Sequence, residues 1–267
     1  MLENIQQMTE QQTHSQQSRG HNGHGKSPNL ETMNDLGSYQ QMLLTFLDRG
    51  YQPVSFPEYS QPKGQLILRH DIDFDTHFAL QCAQVESELG VRATYFFLMR
   101  SNFYNLLSKQ DFENINQIKA LGHTISIHFD PTIYEEQFHQ GLKFEVQLFE
   151  LYFNTRVEII SLHRPTTFFL NYDYPIDNIE HTYQSKYFKD IQYISDSTGE
   201  WRYGHPLDSD AFANQQTIHL LTHPIWWMQE GISNQDKLKT YFYKRKDFLK
   251  NDFYHNCKPF QEISEHL

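Results

Sequence analysis

Two spacings alternate along most of this chain. Short runs of aliphatic and aromatic residues, such as "LILRHDID" (66–73), "ATYFFLMR", "HTISIHFD", "VEIISLHRP", "IQYISDS" and "TIHLLTHP", have the length and continuity of strands buried on both faces. Between them lie amphipathic stretches of helical period. In "THFALQCAQVESELG" the apolar residues Phe78, Cys82, Val85 and Leu89 share one face, and Gly90 ends the pattern. "DFENINQIKALG" closes on Gly122, and "EEQFHQGLKFEVQLFELYFN" is longer. "SYQQMLLTFLDRGY" precedes the first full strand, "QPVSF" (52–56) offers one more short strand, and the Lys-rich "QDKLKTYFYKRKDFLKN" predicts a polar helix near the C-terminus. Strands and helices in alternation predict parallel βαβ units, in an α/β barrel or an open doubly wound sheet. No glycine-rich phosphate loop follows the first strand, which argues against dinucleotide binding.

Residues 1–35 break this rhythm. They are rich in Gln, His, Ser, Gly and Asn and hold too little apolar surface to fold, which predicts a disordered tail whose His14, His21 and His24 are solvated. The ordered domain is expected to span 36–267.

The polar residues are not scattered. Five of the six long strands run into ionisable or hydrogen-bonding groups at their carboxyl ends: His70, Asp71 and Asp73; His128 and Asp130; His163 and Arg164; Asp196 and Ser197; and His223. In parallel α/β folds those ends form one face, where active sites lie. Histidines and carboxylates gathered there are suited to holding a divalent metal. Asp71 and Asp73 stand at i and i+2 of one strand and so face the same way, while His70 alternates away from them toward the interior. His123, at the start of its strand, belongs to the opposite pole and reads as structural.

Composition narrows the partners. Net charge is −11 over 267 residues, without a basic cluster that would mark the chain as a binder of nucleic acid or an anionic membrane. No run is long and apolar enough to span a bilayer and no secretory leader is legible, so the expected compartment is the cytoplasm. Cys82 and Cys257 form no motif and are not expected to pair. The aromatic fraction, 15%, suits a core or a sugar-binding cleft, and Trp226 and Trp227 fit either a core or a rim that stacks on sugars. Trp201 fits substrate contact or loop packing.

In order, "LRHDIDFD", "ELGVRATYFFL", "LGHTISIHFDP", "SLHRP", "YISDSTGEWR" and "LLTHPIWW" resemble the polysaccharide deacetylase (NodB-homology, carbohydrate esterase family 4-like) superfamily, in the branch with an "RHDID" or "RHDVD" strand. The resemblance covers residues 38 to 230. It implies an irregular (β/α) barrel of about seven parallel strands and a hydrolase, dependent on a divalent metal such as zinc, that removes an N-acetyl group from an amino sugar or glycan. It implies Asp71 as general base, Asp73 and His128 as metal ligands, Arg164 as the group that orients the base, and His223 as the acid that protonates the leaving amine. The family's second metal histidine corresponds to Thr132 here; His163 is the first substitute and Asp130 the second. The aromatic whose backbone N–H helps to bind the oxyanion corresponds to Thr166. Two further readings keep the barrel: hydrolysis of another C–N bond, such as a cyclic amide, and an inactive relative that binds glycans.

Overall fold

The structure is a computed structural model that describes residues 37–60 and 63–264; the tail expected over 1–35 lies outside the described residues. Its centre is the strand whose sequence combines aliphatic and charged residues. β2 (Gln65–Ile72) is buried along its whole length. β1 (Gln52–Val54) pairs with it at Gln65–Ile67 and β3 (Thr94–Phe97) at Arg69–Ile72, so the two share one flank in succession; β8 (Ile218–Thr222) takes the other. Beyond β3 lie β4 (Thr124–Phe129), β5 (Ile159–Leu162) and β6 (Glu180–His181); beyond β8 lies β7 (Gln192–Ser195). The order is β6-β5-β4-β3-β2-β8-β7, with β1 off this path, and every strand pair is parallel. β6 and β7 end the path, so the curled sheet is an incomplete barrel.

All six long strands form where their apolar runs predict, and the short 52–56 strand contracts to β1. β6 is the addition: two residues in a loop rich in Tyr, Asn and Asp carry no periodicity from which a strand is legible. The helices follow their caps. Ser38 begins Tyr39–Asp48, Asp75 begins Thr76–Glu88 and Ser108 begins Lys109–Ala120, each side chain accepting a hydrogen bond from a backbone N–H of the first turn. Gly90 and Gly122 sit at φ +69° and +93° just past two helix ends, a left-handed conformation that favours glycine. Phe138–Phe153 is the long helix before β5, and Asn234–Asn256 is the polar helix near the C-terminus. No helix of the described residues is long and apolar enough to cross a membrane. Cys82 and Cys257 are free thiols.

Beneath the carboxyl pole lies a buried polar cluster around Glu86, on the core face of helix Thr76–Glu88. Its carboxylate meets His70 Nε2 at 2.7 Å, accepts from Tyr95 Oη at 2.7 Å and from Tyr39 Oη, and is inaccessible to solvent. Burial works against the charge, but His70 beside it holds the carboxyl below its ordinary range. His70 Nδ1 in turn meets Thr222 Oγ1 at 2.8 Å, which ties β2 to the end of β8. His123 is structural as well: its Nδ1 accepts from Ala93 N–H at 3.2 Å and its Nε2 donates to the Ala83 carbonyl at 3.0 Å, which fixes a neutral ring. Glu86→Ala leaves His70 and both tyrosines without their shared acceptor and is expected to cost about 3–5 kcal/mol of folding stability. Urea unfolding measures the loss; a change below about 1 kcal/mol would show that the cluster does not hold the sheet to the helix.

Candidate functional site

Strand register brings the polar ends together. Arg69, in the middle of β2, is fully buried, and its Nε and Nη2 donate to the two oxygens of Asp71 at 2.9 and 2.7 Å. The i, i+2 spacing puts both side chains on one face, so a bidentate pair forms within a single strand. The guanidinium also lies over the rings of Phe96 and Tyr183, 5.8 and 5.3 Å from their centroids. Burial opposes ionisation of Asp71, but Arg69, with His128 and His223 further out, holds its carboxyl well below the usual range. Tyr104 clamps the strand end, accepting from Leu98 N–H and donating to the Ile72 carbonyl, each at 2.7 Å.

The next inward residue on this face is Asp73. Its Oδ1 lies 3.4 Å from His128 Nε2 and 3.5 Å from His163 Nδ1, and those two ring nitrogens are 3.0 Å apart. The three ligand atoms all lie within 4.8 Å of one another, a group that could hold a metal ion. Two observations fit a cation there. Among the described residues, Asp73 Oδ1 is buried yet has no hydrogen-bond partner. The two imidazole nitrogens converge on the same point, where they can share only one proton between them. His128 is positioned from behind: its Nδ1 meets Ser161 Oγ at 2.6 Å, across the β4–β5 pairing that sets His128 opposite Ser161. Asp130, the other substitute for the missing histidine, is engaged elsewhere. Its Oδ1 accepts from Thr132 N–H at 3.0 Å and Thr132 Oγ1 at 2.6 Å, capping the turn Pro131–Ile133.

His223 faces this group from just past the end of β8, with Nε2 3.9 Å from Asp73 Oδ2. Its Nδ1 lies 2.7 Å from Asp196 Oδ1, and its backbone N–H donates to both Asp196 oxygens at 3.0 and 3.1 Å. Trp227 Nε1 donates to Asp196 Oδ2 at 2.7 Å. Burial would lower the pKa of His223, but the hydrogen bond and charge of Asp196, with Asp73 and Asp71 beyond, raise it to about 9. A narrow cleft of about 10 Å³, the scale of one water, is lined by Asp71, Asp73, Phe74 and His223.

Asp71, Asp73, His128, His163 and His223 thus converge as the strand ends imply, and the other candidates lie elsewhere. Arg164 is exposed at the end of β5, with φ +53°; among the described residues the cation paired with Asp71 is Arg69. Asp196 braces His223. The tryptophans separate: Trp226 is buried with Phe78, Ile225 and Tyr241, Trp227 orients Asp196, and Trp201 packs against Trp227 with ring centroids 6.0 Å apart. Thr166 sits immediately before the short helix Thr167–Asn171. Arg69 was legible by the same two-residue spacing that aligns Asp71 with Asp73. The link from Asp196 to His223 depends on β7 lying beside β8, which no local pattern reveals.

No family model matches the chain, and no curated protein does. The solved structures it is similar to include a CE4 family pseudoenzyme from Bacillus anthracis, at 14% identity over 73% of this chain and 68% of that one, with a TM-score of 0.39. A chitin deacetylase from the fungal pathogen Colletotrichum lindemuthianum shows 14% identity over 72% and 86%, with a TM-score of 0.39. A family 4 carbohydrate esterase from Bacillus anthracis shows 15% over 88% and 91%, with a TM-score of 0.37. At these identities and TM-scores the likeness assigns no role to any residue; those rest on the geometry above.

Asp196→Asn removes the negative charge behind His223 while keeping the shape. In metal-free protein the imidazole is expected to titrate below about 9, read by NMR of its ring nitrogens. An unchanged midpoint would show that Asp196 does not set the charge of His223.

Proposed function

We propose that the chain is a metal-dependent hydrolase that removes an N-acetyl group from an amino sugar or glycan. The observation that supports this most is the assembly at one strand-end pole: an Asp–His–His group with an orphaned carboxylate oxygen, beside a carboxylate held ionised by Arg69 and an imidazole held protonated by Asp196. A base, an acid and a cation site within one cleft are what amide hydrolysis requires.

Asp73, His128 and His163 would hold the metal, and two imidazoles with one carboxylate suit zinc. When bound, the metal supplies Lewis acidity to an acyl oxygen and a lowered pKa to water. Asp71 takes the proton of the attacking water. Arg69 keeps that carboxylate ionised and so always free to accept; the same hold makes it a weak base, from which the proton is soon passed on. His223 is charged near neutral pH and donates its Nε2 proton to the departing nitrogen, while Asp196 stabilises the imidazolium and fixes its orientation. The cleft admits one water and little more, so the sugar itself must lie on the open rim.

Metal content and acetate release together test this reading. Purified without a histidine tag, the wild type is expected to bind about one zinc per chain and to release acetate from an N-acetylated amino sugar or oligosaccharide. Asp73→Ala and His128→Ala should both lose the metal. Asp71→Asn should retain it while kcat falls by on the order of 10²–10⁴. Unaltered metal content in both ligand variants would refute the site. Saturable glycan binding without acetate release would replace the hydrolase with a glycan-binding protein.

A further inference from the structure

Among the described residues, the helix Asn234–Asn256 is hydrogen-bonded to the strand-bearing body near its beginning. Asn234 Nδ2 donates to the Gly199 carbonyl at 2.7 Å, Lys237 Nζ donates to the Trp226 carbonyl, and Tyr241 Oη donates to the Phe74 carbonyl at 2.7 Å. Asn234 and Tyr241 are its only buried residues. Yet the apolar stripe does not stop at Tyr241. At 100° per residue, Leu238, Phe242, Leu249 and Phe253 fall within about 60° of one another. Phe242, Phe248, Leu249 and Phe253 are 64, 61, 55 and 48% exposed. Past Tyr241 this helix packs, among the described residues, against the short helix Lys258–Ile263, whose Phe260 stacks on Phe253 with ring centroids 5.3 Å apart and still leaves Phe253 half exposed. So little packing makes the segment marginal as a helix in water, and large aromatics in a row mark a surface that something covers.

Two charges identify the partner. Arg245 and Asp252 lie on the same stripe, seven residues and so about 20° apart. Arg245 has no ion pair among the described residues and lies over the Phe248 ring at 5.3 Å; Asp252 accepts only from Asn256, within its own turn. A lipid surface would leave the Asp252 carboxylate facing acyl chains, at a high cost. A second copy of the same helix, laid antiparallel about a two-fold axis between Phe248 and Leu249, sets Arg245 opposite Asp252 twice, because the two positions are equally distant from that axis. The same operation sets Phe248 of each copy level with Leu249 of the other at the centre, with Leu249 on the stripe and Phe248 at its flank. The lysines at 239, 244, 246 and 250 flank the stripe and stay at its solvent edge.

We infer that the face Phe242–Phe253 is an isologous dimer interface whose register is set by two reciprocal Arg245–Asp252 ion pairs. An isologous contact requires each patch to be its own complement, and an opposite-charge pair placed symmetrically about an apolar centre meets that condition.

Charge swapping in the full-length protein tests it, with light scattering on a sizing column. The wild type is expected at twice 31.9 kDa. Arg245→Asp and Asp252→Arg should each weaken association at least about tenfold, since each sets like charges in opposition. Mixing the two variants should restore the dimer as a heterodimer, because one contact then carries the native pair and the other carries the same pair reversed. This recovery also excludes misfolding as the cause of the loss. A monomeric wild type at tens of micromolar overturns the inference, as does a dimer that both substitutions leave intact. A monomer that binds phosphatidylserine vesicles through this helix would overturn it in favour of a membrane surface.

Discussion

The pair between Arg69 and Asp71 sets the terms for the rest of the molecule. Two charges stand in the middle of the most buried strand, at 0 and 3% exposure, where neither could remain without the other. Their bidentate geometry needs two residues on one face of a strand, and β2 is paired on both flanks. The next residue on that face, Asp73, emerges where the other strands end. The site is therefore an extension of the sheet, with its charges fixed before any ligand arrives.

Two buried carboxylates hold histidines in the same manner, one on β2 itself and one at the end of β8. Glu86 fixes His70 and, through it, Thr222, the residue before His223. Asp196 fixes His223 directly from β7. One strand end is thus gripped from a helix below and a strand beside it, which keeps Nε2 of His223 directed at Asp73. The Asp73, His128 and His163 group has no such carboxylate behind it. Among the described residues, Asp73 Oδ1 lacks a hydrogen-bond partner, as Arg69 Nη1 does, and it lies beside two converging ring nitrogens.

Much of this was legible in the sequence, because strands buried on both faces write themselves as apolar runs and parallel topology collects their ends at one pole. The convergence of Asp71, Asp73, His128, His163 and His223 followed from that alone. What was not legible is contact that depends on which strands are neighbours. The resemblance implies Arg164 as the group that orients the base; in the structure Arg164 is exposed and the guanidinium on Asp71 is that of Arg69, two residues away on the same strand. The hold of Asp196 on His223 rests on β7 lying beside β8. Trp226 and Trp227 are adjacent in sequence, yet a helical turn sends the first into the core and the second to Asp196. The short strand β6 left no signal, since two residues cannot display a period.

The proposed chemistry stands or falls with a metal ion held by Asp73, His128 and His163. Anomalous diffraction from crystals grown with zinc, recorded on both sides of the zinc absorption edge, locates such an ion. One strong peak is expected at about 2.0–2.2 Å from Asp73 Oδ1, His128 Nε2 and His163 Nδ1. A peak elsewhere, or none while His128 and His163 remain hydrogen-bonded to each other, would contradict it.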